Sequence, residues 1–177
     1  MKVQNIKIRK AVKSDWEQIF KLTLTVWRIA YAHIMPQEIF DWREKSSAET
    51  LEKRKDIEPN TSDHFSFVAE VDNKIVAFAL AKTVSNYEHY KELNCSDLYA
   101  IYIDPKYQRI GLGRKLFDLV VSEFKKVGSA KMVIGVLKEN LQARKAYEKW
   151  GGVLDTYESY YTKLEYKFSE VFYIFNL

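Results

Sequence analysis

The chain has 177 residues, a length at which roughly 70% of the unfolded surface is buried on folding, so a core forms without disulfides or metal. Hydrophobic residues make up 47% and charged residues 29%, with six glycines and three prolines, which excludes disordered, collagenous and low-complexity classes. Lys and Arg total 28 against 24 Asp and Glu, and the resulting charge of +4 admits anionic ligands without demanding nucleic acid.

The start, Met1 to Lys13, alternates Ile with basic residues and has no apolar core of the kind a signal peptide needs. Ile6 and Ile8 alternate with Lys7 and Arg9, which predicts a half-buried strand. Ser14-Asp15-Trp16-Glu17 then offers a capping box for a helix whose core face is Trp16, Ile19, Phe20, Leu24 and Trp27. Pro36 is placed to open a short second helix, and Ser46-Ser47-Ala48-Glu49 predicts a further capped helix running to about Ile57. Two antiparallel strands, His64 to Val71 and Lys74 to Val84, flank a tight turn at Asp72-Asn73. The polar stretch Ser85 to Asn94 reads as a loop, followed by a compact strand from Leu98 to Ile103 that Asp104-Pro105 ends. Leu116, Leu119, Val120, Phe124 and Val127 mark a helix closed by Gly128, and Met132 to Leu137 reads as a buried strand, completing a crossover unit. Asn140 can cap a last helix through Trp150, before two terminal strands near 153–161 and 168–176. With no interdomain linker and no internal repeat, one domain over 1–177 is expected.

Chemistry concentrates at Gln108-Arg109-Ile110-Gly111-Leu112-Gly113-Arg114, between the buried strand and the amphipathic helix. Two glycines let backbone approach a ligand, the helix start presents free N–H groups and a positive dipole end, and Arg109 and Arg114 add cations, so a pyrophosphate fits. A plain strand-to-helix turn would use the same residues. A dinucleotide fingerprint needs a small residue where Leu116 stands, and a Walker A loop needs Gly-Lys followed by Ser or Thr, so both are excluded. His33, His64 and His89 are scattered without metal-ligand spacing, and no metal site is expected. Cys95 is the sole cysteine, so an intrachain disulfide is impossible and a reducing, cytoplasmic setting is expected. No apolar run approaches the roughly 18 residues of a membrane span, and no DNA or RNA signature appears.

The strand Asp97-Leu98-Tyr99-Ala100-Ile101-Tyr102-Ile103, with Asp104-Pro105 and Gln108-x-x-Gly111-x-Gly113, resembles the acetyl-CoA signature of the GCN5-related N-acetyltransferase superfamily. The segment Asn140 to Gly151 is similar to that superfamily's second conserved block. The resemblance implies an α/β fold, a mixed and partly splayed sheet of six or seven strands with about four helices, holding acetyl-CoA between two strands. It assigns the pantetheine arm to the backbone of Ile101, Tyr102 and Ile103, and the pyrophosphate to the amides of Gln108, Arg109, Ile110, Gly111, Leu112, Gly113 and Arg114. Asn140 and Tyr147 match residues near the thiol end, with Tyr147 as general acid. Asp97 is the expected general base, matched by its spacing from Gly113, with a structural aspartate at the loop end as the alternative. Gly152 stands where relatives carry an aromatic residue, a change expected to reshape the acceptor pocket.

The implied activity is acetyl transfer to a primary amine, with a small molecule as the expected acceptor. A non-catalytic acyl-CoA sensor and a protein N-terminal or lysine acetyltransferase are the alternatives. The acceptor is expected to meet the region from about Trp27 to Trp42 and the strands bearing Tyr157, Tyr160, Tyr161 and Tyr166. There Glu38, Asp41 and Glu158 favour a cationic amine, whereas Arg28 and Arg43 favour a carboxylate-bearing one. A homodimer is left open.

Overall fold

The computed structural model describes residues 5–177; Met1 to Gln4, part of the alternating start, lie outside them. Seven strands form one sheet, β1 (Lys7–Lys10), β2 (His64–Val71), β3 (Lys74–Lys82), β4 (Ser96–Ile103), β5 (Lys131–Leu137), β6 (Val153–Lys163) and β7 (Tyr166–Asn176). Their spatial order is β1-β2-β3-β4-β5-β7-β6. Five helices accompany them, α1 (Trp16–Tyr31), α2 (Gln37–Arg54), α3 (Glu88–Glu92), α4 (Leu112–Lys126) and α5 (Leu141–Lys149).

The β2–β3 hairpin turns where expected, because Asp72 (φ 49°) and Asn73 (φ 60°) both take the left-handed conformation of a two-residue hairpin loop. Trp16, Ile19, Leu22 and Val26 of α1 pack on Val68, Ile75, Phe78 and Leu80 on one face of the sheet. On the other face Leu116, Phe117, Val120 and Phe124 of α4 cover Ala77, Ala79, Met132, Ile134 and Tyr173. Small alanines on β2 and β3 let α4 lie close to the sheet, and large aromatic residues on β7 fill the remaining depth.

Several local expectations are corrected. The Ser14–Glu17 box is not made: the Asp15 carboxylate instead accepts the Val12 amide (2.8 Å) and pairs with Arg9 (2.6 Å), closing a 3₁₀ turn ahead of α1. The stripe on α1 runs through Leu22 and Val26, leaving Phe20 and Leu24 half-buried on its flank. Ser46 and Ser47 do not start a helix but lie within α2, where both hydroxyls donate to the Arg43 carbonyl (3.2 and 2.7 Å), so their polar groups are satisfied inside the helix instead of capping a new one. The supposed loop at 85–94 contains α3, a fifth helix, because Tyr90 is fully buried and its hydroxyl donates to Asp155 (2.7 Å). Leu119 and Val127 are exposed rather than part of the α4 core face.

The sheet is joined unevenly. β4 and β5 run parallel but pair only at Ser96–Met132 and Asp97–Val133. A register shift in the β3–β4 ladder at Leu80/Ala81 leaves Tyr99 as an extra residue, and such a bulge bends and twists its strand. From Leu98 onward β4 therefore parts from β5 and leaves a cleft between the two edges.

Candidate active site

The cleft between β4 and β5 has a volume of about 1090 Å³, just above the range of roughly 300–1,000 Å³ usual for small-molecule sites. Ile101, Tyr102 and Ile103 line one wall, Ile134 to Val136 the other, and the start of α4 and the start of α5 close its mouth. Pairing to β3 satisfies one edge of β4, whereas its edge toward β5 has no strand partner beyond Asp97.

After Ile103 the chain makes a 3₁₀ turn at Pro105–Tyr107, capped by the Asp104 carboxylate, which accepts the Lys106 amide (3.0 Å). Arg109 (φ 62°) and Gly111 (φ 82°) then take left-handed backbone, turning successive amides toward one side before α4 begins. None of the amides from Arg109 to Arg114 has an acceptor among the described residues; the first helical bond here is Lys115 to the Gly111 carbonyl (3.1 Å). Amides left free ahead of and within the first turn of a helix suit an anion. Arg109 and Arg114 both line the cleft, Arg114 with its Nε on Asp118 (2.8 Å).

Gly111, the N-cap of α4, and Gly113, in its first turn, have different reasons. At Gly111 an added Cβ meets nothing within 4 Å, so the residue answers to its positive φ alone. At Gly113 an added Cβ would stand 2.8 Å from Ile103 Cδ1 and 3.3 Å from Trp150, so a side chain here would press on the tip of Ile103 and on the Trp150 ring at the end of α5. Gln108 ties the same corner together: its amide donates to the Ile103 carbonyl (3.1 Å) and its oxygen accepts from Gln142 on α5 (2.8 Å).

Asn140 caps α5 by accepting the Ala143 amide (3.2 Å), and Asn140 and Tyr147 both line the cleft. Tyr147 is enclosed beside Trp150 and Tyr173, and burial, with a smaller contribution from Tyr102, raises its hydroxyl pKa well above the ordinary tyrosine value. Gly152 lines no part of the cleft; an added Cβ there would meet Phe175 at 2.6 Å, so the expected effect on an acceptor pocket is replaced by core packing.

Asp97 is fully buried at the closed end of the split, not exposed at a loop end. One oxygen accepts from the Ser85 hydroxyl and the Asn86 amide, both at 3.2 Å, and the other is buried without a partner. Burial raises its carboxyl pKa, only partly offset by those two bonds and by Lys82. It lines a smaller cavity of about 170 Å³ together with Trp27, Tyr87, Tyr161 and a second buried carboxylate, Glu170. Sequence reasoning did not single out Glu170, which looks like one polar residue in a strand until the β5–β7 register sets it opposite Leu137.

Of the expected acceptor residues, Tyr161 reaches this cavity, Tyr157 stacks on His89 (4.2 Å between centroids), and Tyr160 is exposed. Arg28 and Glu158 are engaged in ion pairs with Glu44 (2.6 Å) and Lys138 (2.9 Å). Arg43 lies 4.5 Å from the Trp27 ring centroid, and its Nε is buried without a partner, as is the Tyr161 hydroxyl. Among the described residues no group of three or more His, Cys, Asp or Glu is placed to hold a metal ion, and no helix is long and apolar enough to cross a membrane.

Residues 16–152 match the family described as "Acetyltransferase (GNAT) family". The ribosomal protein bS18-alanine N-acetyltransferase of Escherichia coli (strain K12) is 31% identical over 112 residues, 63% of this chain and 64% of that protein, so the match spans less than two thirds of this relative. Among solved structures, the PaiA N-acetyltransferase of Thermoplasma acidophilum in complex with coenzyme A is similar at a TM-score of 0.74 and 21% identity, over 98% of this chain and 99% of that one. The ribosomal-protein-S18-alanine N-acetyltransferase structure from Escherichia coli has a TM-score of 0.66 at 23% identity, over 97% of this chain and 93% of that one.

Proposed function

This chain belongs to the acetyltransferase (GNAT) family, and from that membership we propose that it transfers an acetyl group from acetyl-CoA to a primary amine. The observation that carries the reading is the run of free amides from Arg109 to Arg114 at the mouth of a cleft whose β4 edge is unpaired. Their donors and the helix dipole suit a pyrophosphate, and the open backbone of Ile101 to Ile103 suits an amide-bearing arm that can pair as a strand does. Asn140 and Tyr147 both line this cleft, which supports a role for them near the thiol end of that arm. Bound acetyl-CoA supplies a thioester open to direct attack by a neutral amine.

The chain's own groups then orient the reactants and manage protons. Tyr147 holds its proton at neutral pH as any tyrosine does, burial disfavours its phenolate further, and the hydroxyl can give that proton to a departing thiolate. A buried carboxylate beside the acceptor, Asp97 or Glu170, takes the amine proton. We place the acceptor among small-molecule amines and the protein in the cytoplasm, as the lone Cys95 suggests. A protein N-terminus is the second reading, favoured by the 31% identical relative, which is named for acetylating an alanine of a ribosomal protein.

The test is release of free thiol from acetyl-CoA across a panel of polyamines, amino-acid amides and alanine-initiated peptides. Turnover of at least one small amine above the peptides supports the first reading, and preference for the peptides supports the second. Coenzyme A binding with no turnover of any amine would reduce the protein to an acyl-CoA sensor.

A further inference from the structure

The two carboxylates of the smaller cavity occupy different positions along the split. Asp97 lies where β4 still pairs with β5, opposite Val133, and its Oδ2 is committed to the Ser85 and Asn86 turn. Glu170 lies opposite Leu137, four residues farther along β5, where β4 has already separated. The smaller cavity shares Tyr31, Tyr99, Tyr102, Gly135 and Val136 with the walls of the large cleft, so the two spaces adjoin at the point Glu170 faces.

Gly135 keeps that point open. A Cβ there would come 3.0 Å from the Tyr87 hydroxyl, 3.1 Å from Glu170 Oε1 and 3.0 Å from the Phe172 ring. The missing side chain is the room in which Tyr87 donates to Glu170 Oε1 at 2.7 Å, a contact between residues 83 apart in sequence. That bond engages one carboxylate oxygen of a residue that keeps 9% of its surface exposed. Such an arrangement fixes a base in place without using up its capacity to accept.

We propose that Glu170, held by Tyr87 across the gap at Gly135, accepts the proton of the attacking amine, and that Asp97 is a positioning residue for the Ser85–Asn86 turn. The inference rests on the transferase reading of the cleft. In the step, the amine nitrogen bonds to the acetyl carbon and the carbon–sulfur bond breaks. The amine proton passes to Glu170, the sulfur takes the phenolic proton of Tyr147, and solvent afterwards relieves Glu170 of its proton and restores that of Tyr147. The products are the acetamide and the free thiol. Burial and the Asp97 charge raise the Glu170 carboxyl pKa against the opposing Tyr87 bond, bringing it nearer to a working base. The titratable groups facing it are Tyr87 ahead of α3, Asp97 and Tyr102 on β4, and Tyr161 on β6.

Glu170→Gln, Asp97→Asn and Tyr87→Phe are compared with the parent protein for coenzyme A affinity by calorimetry and for kcat and KM against pH on the best amine. Glu170→Gln is expected to keep coenzyme A affinity within about twofold while kcat falls about 10²-fold, its residual rate following ionisation of the free amine. Asp97→Asn is expected to lose at least about tenfold less kcat than Glu170→Gln. Tyr87→Phe leaves both carboxyls in place and is expected to lower kcat severalfold with the KM of the amine unchanged, so it decides the matter if Glu170→Gln does not fold. An infrared difference spectrum of ligand-free protein, parent minus Glu170→Gln, reads the ionisation directly; a protonated-carboxyl band surviving above about pH 8 would overturn the proposal, since a base must be ionised to act. A parent-like rate in Glu170→Gln overturns it too, while failure of the parent to acetylate any amine overturns the transfer reading itself.

Discussion

Tyr147 combines two properties that are separable by mutation, a ring packed beside Trp150 and Tyr173 and a hydroxyl that faces the cleft wall. Tyr147→Phe retains the first and removes the second. We expect kcat to fall about 10²-fold with coenzyme A affinity unchanged, read by thiol-release kinetics and calorimetry; a parent-like kcat returns the residue to a packing role. Asp97 carries a prediction about stability instead. Its folded pKa lies above the unfolded value of 3.8, so the stability linked to its protonation is fully present below that value and is lost as pH rises through the folded pKa. Asp97→Asn should therefore raise the melting temperature relative to the parent at about pH 8, with the advantage shrinking toward about pH 4. A difference that does not vary with pH would contradict this. Asp15 works in the opposite sense. Burial pushes its pKa up, but the Arg9 and Val12 bonds prevail and hold it low, so the stability it contributes is lost as pH falls through the folded value.

At the scale of elements, the junction of β4 with α4 depends on Gly111, ahead of the helix, and Gly113, within its first turn, in different ways. Gly113→Val forces an isopropyl group toward Ile103 and Trp150, and overpacking of this kind costs about 1–3 kcal/mol, so a lower melting temperature is the expected primary effect. Gly111→Ala meets no neighbour but must hold a left-handed backbone at about 1–2 kcal/mol, and the relaxed turn should weaken coenzyme A binding more than it lowers stability. Equal effects of both variants on affinity and stability would refute the distinction. Which of these reasons applied was not legible in the sequence, because Gly-x-Gly reads the same whether it meets a phosphate or an isoleucine. The β2–β3 hairpin was legible because Asp-Asn between two apolar runs has a local cause. The continuity of α2 and the existence of α3 were not: Ser46 and Ser47 read the same whether they cap a helix or turn back onto one, and α3 is anchored by Tyr90 reaching Asp155 across 65 residues. Glu170 was hidden for the same reason: its meaning lies in a partner 83 residues away and in the side chain that Gly135 lacks.

For the whole molecule, a ligand that engages the loop, β4 and α5 together should stabilise all of them at once. At a concentration of coenzyme A about 100-fold above its Kd, stabilisation of about 2.7 kcal/mol corresponds to a rise in melting temperature of roughly 5–10 °C for a chain of this size, measurable by scanning calorimetry. No rise would be incompatible with a cleft site. The two-pair joint between β4 and β5 has a further consequence, in the rates at which backbone hydrogens trade places with solvent deuterium. Along a strand, successive N–H groups point to opposite neighbours. On β4 past Asp97, the amides turned toward β3 are locked in a ladder, whereas those turned toward β5 face open space. A single strand should thus show slow and fast exchange at alternate residues, and occupancy of the cleft should erase the alternation by slowing the fast set alone.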